Sequence, residues 1–251
     1  MIAEKEGAEL VILTVIGTNE DDRPVEEQLH QALAELRAQG MSIVKDTKIR
    51  RGSTVSQIKK EVDENEYDLV ILGTRDVYRF WNAIFGTITG RVTEQVDVSV
   101  LAVRNPPAAI RRILVCIGGT RTRRKLLRTA NRLANETGAS VTVLHVKDPV
   151  PAMYTGLDAM DESLSEMLQT DTPTARYLRW SADYLARHGV EAEVMVRQGV
   201  AAEEILHEAH HGEYDLLVIG ASAKSTLQKA IVEPVNQRLL NEASCPVLIV
   251  H

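Results

Sequence analysis

The chain predicts an α/β fold built as two copies of one unit, and three observations predict it. Residues recur at a constant offset of 147: Gly52, Asp68 and Gly73 are matched by Gly199, Asp215 and Gly220. Glu66-Tyr67-Asp68-Leu69 returns as Glu213-Tyr214-Asp215-Leu216, and Arg91 and Val100 match Arg238 and Val247, the self-similarity that marks a duplicated domain. Short continuous apolar runs such as Ala8–Ile16 and Ile113–Ile117 fit strands covered on both faces. Amphipathic stretches separate them, the alternation that builds parallel sheets.

In the first copy Ala8–Ile16 is such a strand. Residues 26–39 space Leu29, Ala32, Leu33 and Leu36 along one helical face, and Gly40 stops that helix. Met41–Arg50 is a strand of mixed character, and Thr54–Asn65 a helix with Val55, Ile58 and Val62 inward. A strand at Leu69–Leu72, a loop, a helix opened by Gly86-Thr87 and running to Gln95, and a strand at Val98–Val103 complete the copy. Asn105-Pro106-Pro107 is the linker, so the domains are 1–105 and 110–251.

The second copy starts earlier in the unit. Ile113–Ile117 is a strand, Gly118-Gly119-Thr120 a turn, and Arg121–Thr137 a helix. Ala139–Val146 then matches Ala8–Val15. The segment 148–188 is longer than its counterpart and carries Tyr177, Trp180 and Tyr184 on a long helix. Val190–Val196, Ala201–His210, Leu216–Ile219, Pro234–Asn241 and Pro246–Val250 follow as alternating strands and helices. The second copy thus has five strands and the first four, because a strand and a helix have no counterpart ahead of Gly7. Either the polypeptide starts earlier or the chain borrows a strand, since an interior gap would leave buried backbone unpaired.

Composition bounds the function. Aromatics are 4%, so the cores are aliphatic, and 25% charged residues is ordinary for a globular chain. Cys116 and Cys245 sit in apolar strands without metal or redox spacing and read as buried free thiols of a reducing compartment. No apolar run approaches the roughly 20 residues of a membrane span, and no signal-peptide core opens the chain; the expected location is cytoplasmic. Net charge is −6, yet from Val98 to Asn135 there is no acid. That window holds Arg104, Arg111, Arg112, Arg121, Arg123, Arg124, Lys125, Arg128 and Arg132, an asymmetry that fits an anionic partner or an acidic neighbouring face.

The stretch Asp68–Thr87 is a strand ending in Gly73, a loop, and Gly86-Thr87 at a helix start, which is how backbone N–H groups are presented to phosphate. Here the chain resembles a tandem universal stress protein. That family shows an Asp-Leu-Ile-Val-x-Gly strand, a Gly-x2-Gly-x9-Gly-Ser/Thr phosphate motif, and a closing Cys-Pro-Val-Leu-Val-Val strand. The last is nearly literal in Cys245-Pro246-Val247-Leu248-Ile249-Val250. The resemblance covers both copies. It implies Rossmann-like domains with a parallel sheet of order 3-2-1-4-5, helices on both faces, and pairing along the last strand, as a homodimer or as a pseudo-dimer of the two copies. It also implies a binding or regulatory module, with ATP or AMP bound in some members and no nucleotide in others.

Carried onto this chain, the nucleotide site falls on Val15, Gly73, Arg75, Asp76, Gly86, Thr87 and Ile88. Asp76 stands where the motif has glycine, adding bulk and negative charge. The alternative is a decayed motif kept for the fold. In copy two the motif reads Gly220, Ala223 and Glu233-Pro234, and an acid and a proline at a helix start repel phosphate and remove a donor. Gly118, Gly119, Thr120, Arg121 and Arg123 form a candidate anion site at the next helix start; otherwise these cations are a solvated face. Nucleic acid is not expected, because no aromatics interleave with the basic run.

Tyr78, Phe80, Trp81 and Phe85 cluster in the copy-one loop and fit a partner contact. Their spelling resembles stress-protein domains fused to transporters, which implies a transporter or membrane-surface partner. His207 and His211, four apart with His210 between, have chelating spacing but no acidic ligand set, so no metal is expected. No catalytic triad, carboxylate pair or Cys-His pair stands out, and the chain reads as no enzyme.

Overall fold

The structure is a computed structural model that describes residues 7–38, 43–73, 81–118, 123–149, 164–221 and 235–251, with the backbone alone at 81–87 and 164–166. The chain forms two compact units, Met1–Tyr67 and Asp68–His251. The division between the units falls inside the first copy, between Tyr67 and Asp68.

The smaller unit holds β1 (Leu10–Ile16), α1 (Arg23–Ala38), β2 (Val44–Arg51) and α2 (Thr54–Glu64). β1 and β2 pair in parallel from Leu10 opposite Val44 to Ile16 opposite Arg51, with α1 as the crossover such pairing requires. Its buried apolar side chains among the described residues are Ile16, Leu29 and Ile58. The helical face expected in α1 is present but shallow: Leu29 is buried, while Ala32, Leu33 and Leu36 are half-buried.

The larger unit runs β3 (Leu69–Gly73), α3 (Trp81–Gln95), β4 (Ser99–Val103), β5 (Arg112–Cys116), α4 (Arg123–Thr137), β6 (Ser140–Lys147) and α5 (Leu164–Gln169). It continues through α6 (Pro173–Arg187), β7 (Ala192–Gln198), α7 (Ala201–His211), β8 (Leu216–Gly220), α8 (Val235–Glu242) and β9 (Val247–Val250). One seven-stranded sheet orders them β3-β4-β9-β8-β5-β6-β7. Within the second copy this is 3-2-1-4-5. All neighbours are parallel except β4 and β9, where Val100, Leu101 and Ala102 face Ile249, Leu248 and Val247 antiparallel. The two copies are thus joined, last strand to last strand, within one chain.

Strand side chains alternate between two cores. Ile113, Val115, Val141, Val143, Val218 and Leu248 meet Leu126, Leu127 and Ala130 of α4 and Leu178 and Leu185 of α6. Leu114, Cys116, Leu144, Leu217, Ile219 and Ile249 meet Ile205 and Ala209 of α7 and Leu239 and Leu240 of α8. Burial on both faces is why these strands read as unbroken apolar runs. Helix α6 begins where its sequence says it should: Thr172 accepts a bond from the Ala175 N–H at 3.2 Å, and Pro173 occupies the first turn. Gly52 and Gly199 close the equivalent strands β2 and β7 with φ of 129° and 153°, a backbone that only glycine adopts without strain.

The first copy's strands fall in two sheets: β1 and β2 make a separate two-stranded sheet, while β3 and β4 extend the second copy's sheet. The helix expected from Gly86 begins instead at Trp81. Glycine costs a helix interior only about 1 kcal/mol relative to alanine, and no proline in Trp81–Phe85 forbids the extra turn.

Candidate functional site

Gly73 ends β3 opposite Val103. Arg75 and Asp76 lie outside the described residues, as do Tyr78 and Phe80 of the aromatic loop. The register of α3 decides what the copy-one motif can offer. Only the first turn of an α-helix leaves its N–H groups without an intrahelical acceptor. With the helix starting at Trp81, Gly86, Thr87 and Ile88 lie beyond that turn, and their N–H groups are spent on carbonyls four residues back. Ile88 is half-buried. Val15 belongs to β1 of the smaller unit, whereas Gly73, Gly86, Thr87 and Ile88 belong to the larger.

In copy two, Ala223, Glu233 and Pro234 lie outside the described residues. Helix α8, which begins at Val235, closes the strand end. The Asn236 amide, in its first turn, donates to the Gly220 carbonyl at 3.1 Å. The Ala221 N–H donates to the Val250 carbonyl at 2.9 Å. The end of β8 is thus bonded to the protein's own groups.

At the anion candidate, Gly118 is exposed, while Gly119, Thr120 and Arg121 lie outside the described residues. Arg123 turns back on the fold: its guanidinium donates to the Gly118 carbonyl at 3.0 Å and sits 4.8 Å over the Tyr177 ring. The Tyr177 hydroxyl in turn donates to the Arg123 carbonyl at 2.7 Å. Burial pushes the Tyr177 phenol up to about 12, so it stays a neutral donor. An open cleft of about 300 Å³ lies here, lined by Arg123, Arg124, Pro173, Arg176, Tyr177 and Trp180. Along α6 and its C-cap, the rings of Tyr177, Trp180, Tyr184 and His188 follow one another with centroids 5.4, 5.3 and 4.3 Å apart, Trp180 and Tyr184 stacked and the other pairs tilted. The basic run and the aromatics are distant in sequence, so their proximity was not legible there. The visible signal was the three-and-four spacing of Tyr177, Trp180 and Tyr184 on one helix.

The sequence pattern alone did not reveal a buried charged network that the repeat carries twice. Glu61, nearly fully buried, accepts from Lys48 Nζ at 2.7 Å, Arg50 Nε at 2.7 Å and the Tyr67 hydroxyl at 2.8 Å. At the same offset Glu208 accepts from Arg197 Nε at 3.0 Å and the Tyr214 hydroxyl at 3.0 Å. Burial alone would raise the Glu61 carboxyl, but the bonds from Lys48, Tyr67 and Arg50 outweigh it and hold it below its ordinary 4.5. Each network ties a helix to the strand before it and to a tyrosine in the segment that follows it. It is positional, not reactive.

Both cysteines are free and buried. Burial pushes the Cys245 thiol up to about 11 and the Cys116 thiol higher still, so neither is a ready nucleophile. His207 and His211 stack with centroids 4.1 Å apart, and His211 Nδ1 lies 2.8 Å from the His207 carbonyl. Among the described residues no group of three or more His, Cys, Asp or Glu side chains could hold a metal ion.

The chain matches the universal stress protein family over residues 1–104 and again over 109–251. It is 27% identical over 148 residues to a universal stress protein of Methanocaldococcus jannaschii, covering 59% of this chain and 86% of that one. It is 29% identical over 145 residues to the universal stress protein YxiE of Bacillus subtilis, covering 56% and 98%. A crystal structure of a universal stress protein from Archaeoglobus fulgidus superposes with a TM-score of 0.69 at 18% identity, over 99% of this chain and 89% of that one. That last likeness establishes the fold. With two matches that together take in nearly every residue, this chain belongs to the universal stress protein family and carries two of its domains in tandem.

Proposed function

We propose that the chain is a non-catalytic, cytoplasmic regulatory module that works by association with a partner and holds no nucleotide. The observation that carries this reading is the start of α3 at Trp81, which commits the Gly86, Thr87 and Ile88 N–H groups to the helix. The strand end of copy two, bonded to Asn236, supports it from the other side. A transporter as the partner rests on the spelling of the aromatic loop, whose residues 74–80 lie outside the described ones.

A second reading is an adenine-nucleotide sensor acting through Gly73, Arg75, Gly86 and Thr87, and what favours it is the survival of those motif residues in copy one alone. Thermal denaturation with ATP or AMP separates the two. A ligand at 100 times its Kd stabilises by about 2.7 kcal/mol, a rise of several degrees for a unit of this size. No rise with either nucleotide at millimolar concentration is the expected result. A saturable rise, lost in Thr87→Ala, replaces the association reading with the sensor.

A further inference from the structure

Positive charge and exposed aromatic surface meet at the cleft of about 300 Å³ where α4 and α6 begin. Every residue lining it belongs to the larger unit, so its shape follows from how those two helices pack. Helix α4 turns Leu126, Leu127, Ala130 and Ala134 to the core, which leaves Arg124, Lys125 and Arg128 exposed on its solvent side. Arg124 and Arg128 stand one turn apart there. None of these three side chains has an acidic partner among the described residues. Arg176 of α6 pairs with Asp171 at 3.1 Å, but both side chains are more than half exposed. A pair of that kind holds weakly and yields to a better-placed carboxylate.

The charge is local. The chain as a whole carries −6, yet the window that contains the start of α4 has no acid from Val98 to Asn135. Guanidinium groups gathered in this way steer carboxylates toward them and bind them through paired N–H donors. The aromatic side narrows the class of ligand. Trp180 is 37% exposed, and its ring is flanked by Tyr177 at 33° and Tyr184 at 28°. Rings this close on either side leave little open face, so a nucleobase has no platform to stack on. The indole edge suits an apolar side chain of a polypeptide instead. Trp, Tyr and Arg are also the residues that carry most binding energy at protein interfaces.

We propose that this cleft binds an acidic peptide segment of a partner protein. Its carboxylates meet Arg124, Arg128 and Arg176, and an apolar side chain among them packs on the edge of Trp180. The inference gives a chemistry to the partner in the association reading above and rests on that reading.

The test is a fluorescence-polarisation titration of the full chain into a labelled synthetic peptide, Glu-Glu-Asp-Phe-Asp-Glu-Glu. Saturable binding is expected at low ionic strength, weakening as added salt screens the charges. Two control peptides, one with Gln and Asn for the acids and one with Ala for Phe, should bind roughly tenfold more weakly or worse. Arg124→Glu and Trp180→Ala should each weaken binding by about tenfold or more. Arg124 is exposed, so Arg124→Glu melts with the parent chain and its loss of binding reports the surface. The proposal is overturned if the acidic peptide shows no saturable binding, if either control binds as well, or if binding survives both variants. An oligothymidylate that binds more tightly than the peptide and is weakened by the same variants also overturns it, and assigns the cleft to nucleic acid. The two readings fail apart. Absent peptide binding strikes this surface alone, whereas a Thr87-dependent thermal shift with nucleotide strikes the association reading.

Discussion

Glu61 is the residue on which the smaller unit turns, because it is a buried carboxylate in a unit with few buried side chains. Besides Asn65, just past the end of α2, the donors Lys48 and Arg50 of β2 and Tyr67 converge on it. They hold its carboxyl below the ordinary value of 4.5 against the pull of burial. A group with a depressed folded pKa binds fewer protons folded than unfolded, so its contribution is present above the ordinary carboxylate range and is lost as pH falls through the folded value. Lowering the pH from 7 to 3 is therefore expected to loosen residues 44–67, read as accelerated proteolysis of that stretch. Glu61→Gln should cost about 2 kcal/mol at pH 7 and flatten the acid response. An unchanged acid response in Glu61→Gln would assign the lability to other carboxylates. None of this was legible in the sequence, since one Glu among the charged residues of an amphipathic helix spells a solvated face as readily as a buried one.

The helices show where sequence reasoning holds and where it fails. Helix α4 is legible because Leu126, Leu127, Ala130 and Ala134 repeat at helical spacing, and α7 is legible in the same way. The start of α3 is not legible, because Gly-Thr spells a phosphate-binding opening and nothing local excludes one more turn. Its interior glycine has a packing reason instead. Gly90 and Gln237 are equivalent positions of the two copies, and they face each other. A Cβ at Gly90 would stand 1.8 Å from Gln237 Oε1 and 2.9 Å from its Cδ. Alanine there gains helix propensity while displacing only the tip of a flexible side chain, so the two effects nearly cancel. Gly90→Leu is different. It has to part α3 from α8, and overpacking of this kind costs about 1–3 kcal/mol. Urea denaturation should show that loss, and Gln237→Ala in the same chain should recover most of it. If the double variant is no more stable than Gly90→Leu alone, the crowding lies elsewhere on the helix.

At the scale of the molecule, the duplication was legible and the partition was not. Repeated residues fix two copies, but they do not say that β3, α3 and β4 share a compact unit with the second copy. That grouping follows from the antiparallel pairing of β4 with β9, from Arg104, which donates to the Leu240 and Asn241 carbonyls at 3.0 and 2.7 Å, and from the Gly90–Gln237 approach. The two units differ sharply in what each buries. Residues 1–67 hold a two-stranded sheet and bury Ile16, Leu29 and Ile58, and a two-stranded sheet is marginal without a larger core. Residues 68–251 bury two layers of aliphatic side chains on either face of seven strands. Two-state unfolding is the behaviour of single domains, and chains of more than one compact unit depart from it. Urea should therefore open 1–67 first, with trypsin cutting at Lys45, Lys48 and Arg51 while 68–251 remains intact. The larger fragment should then unfold at a higher midpoint in one transition. A single midpoint for both units, with no protected 68–251 fragment, would mean that the smaller unit draws its stability from the larger one.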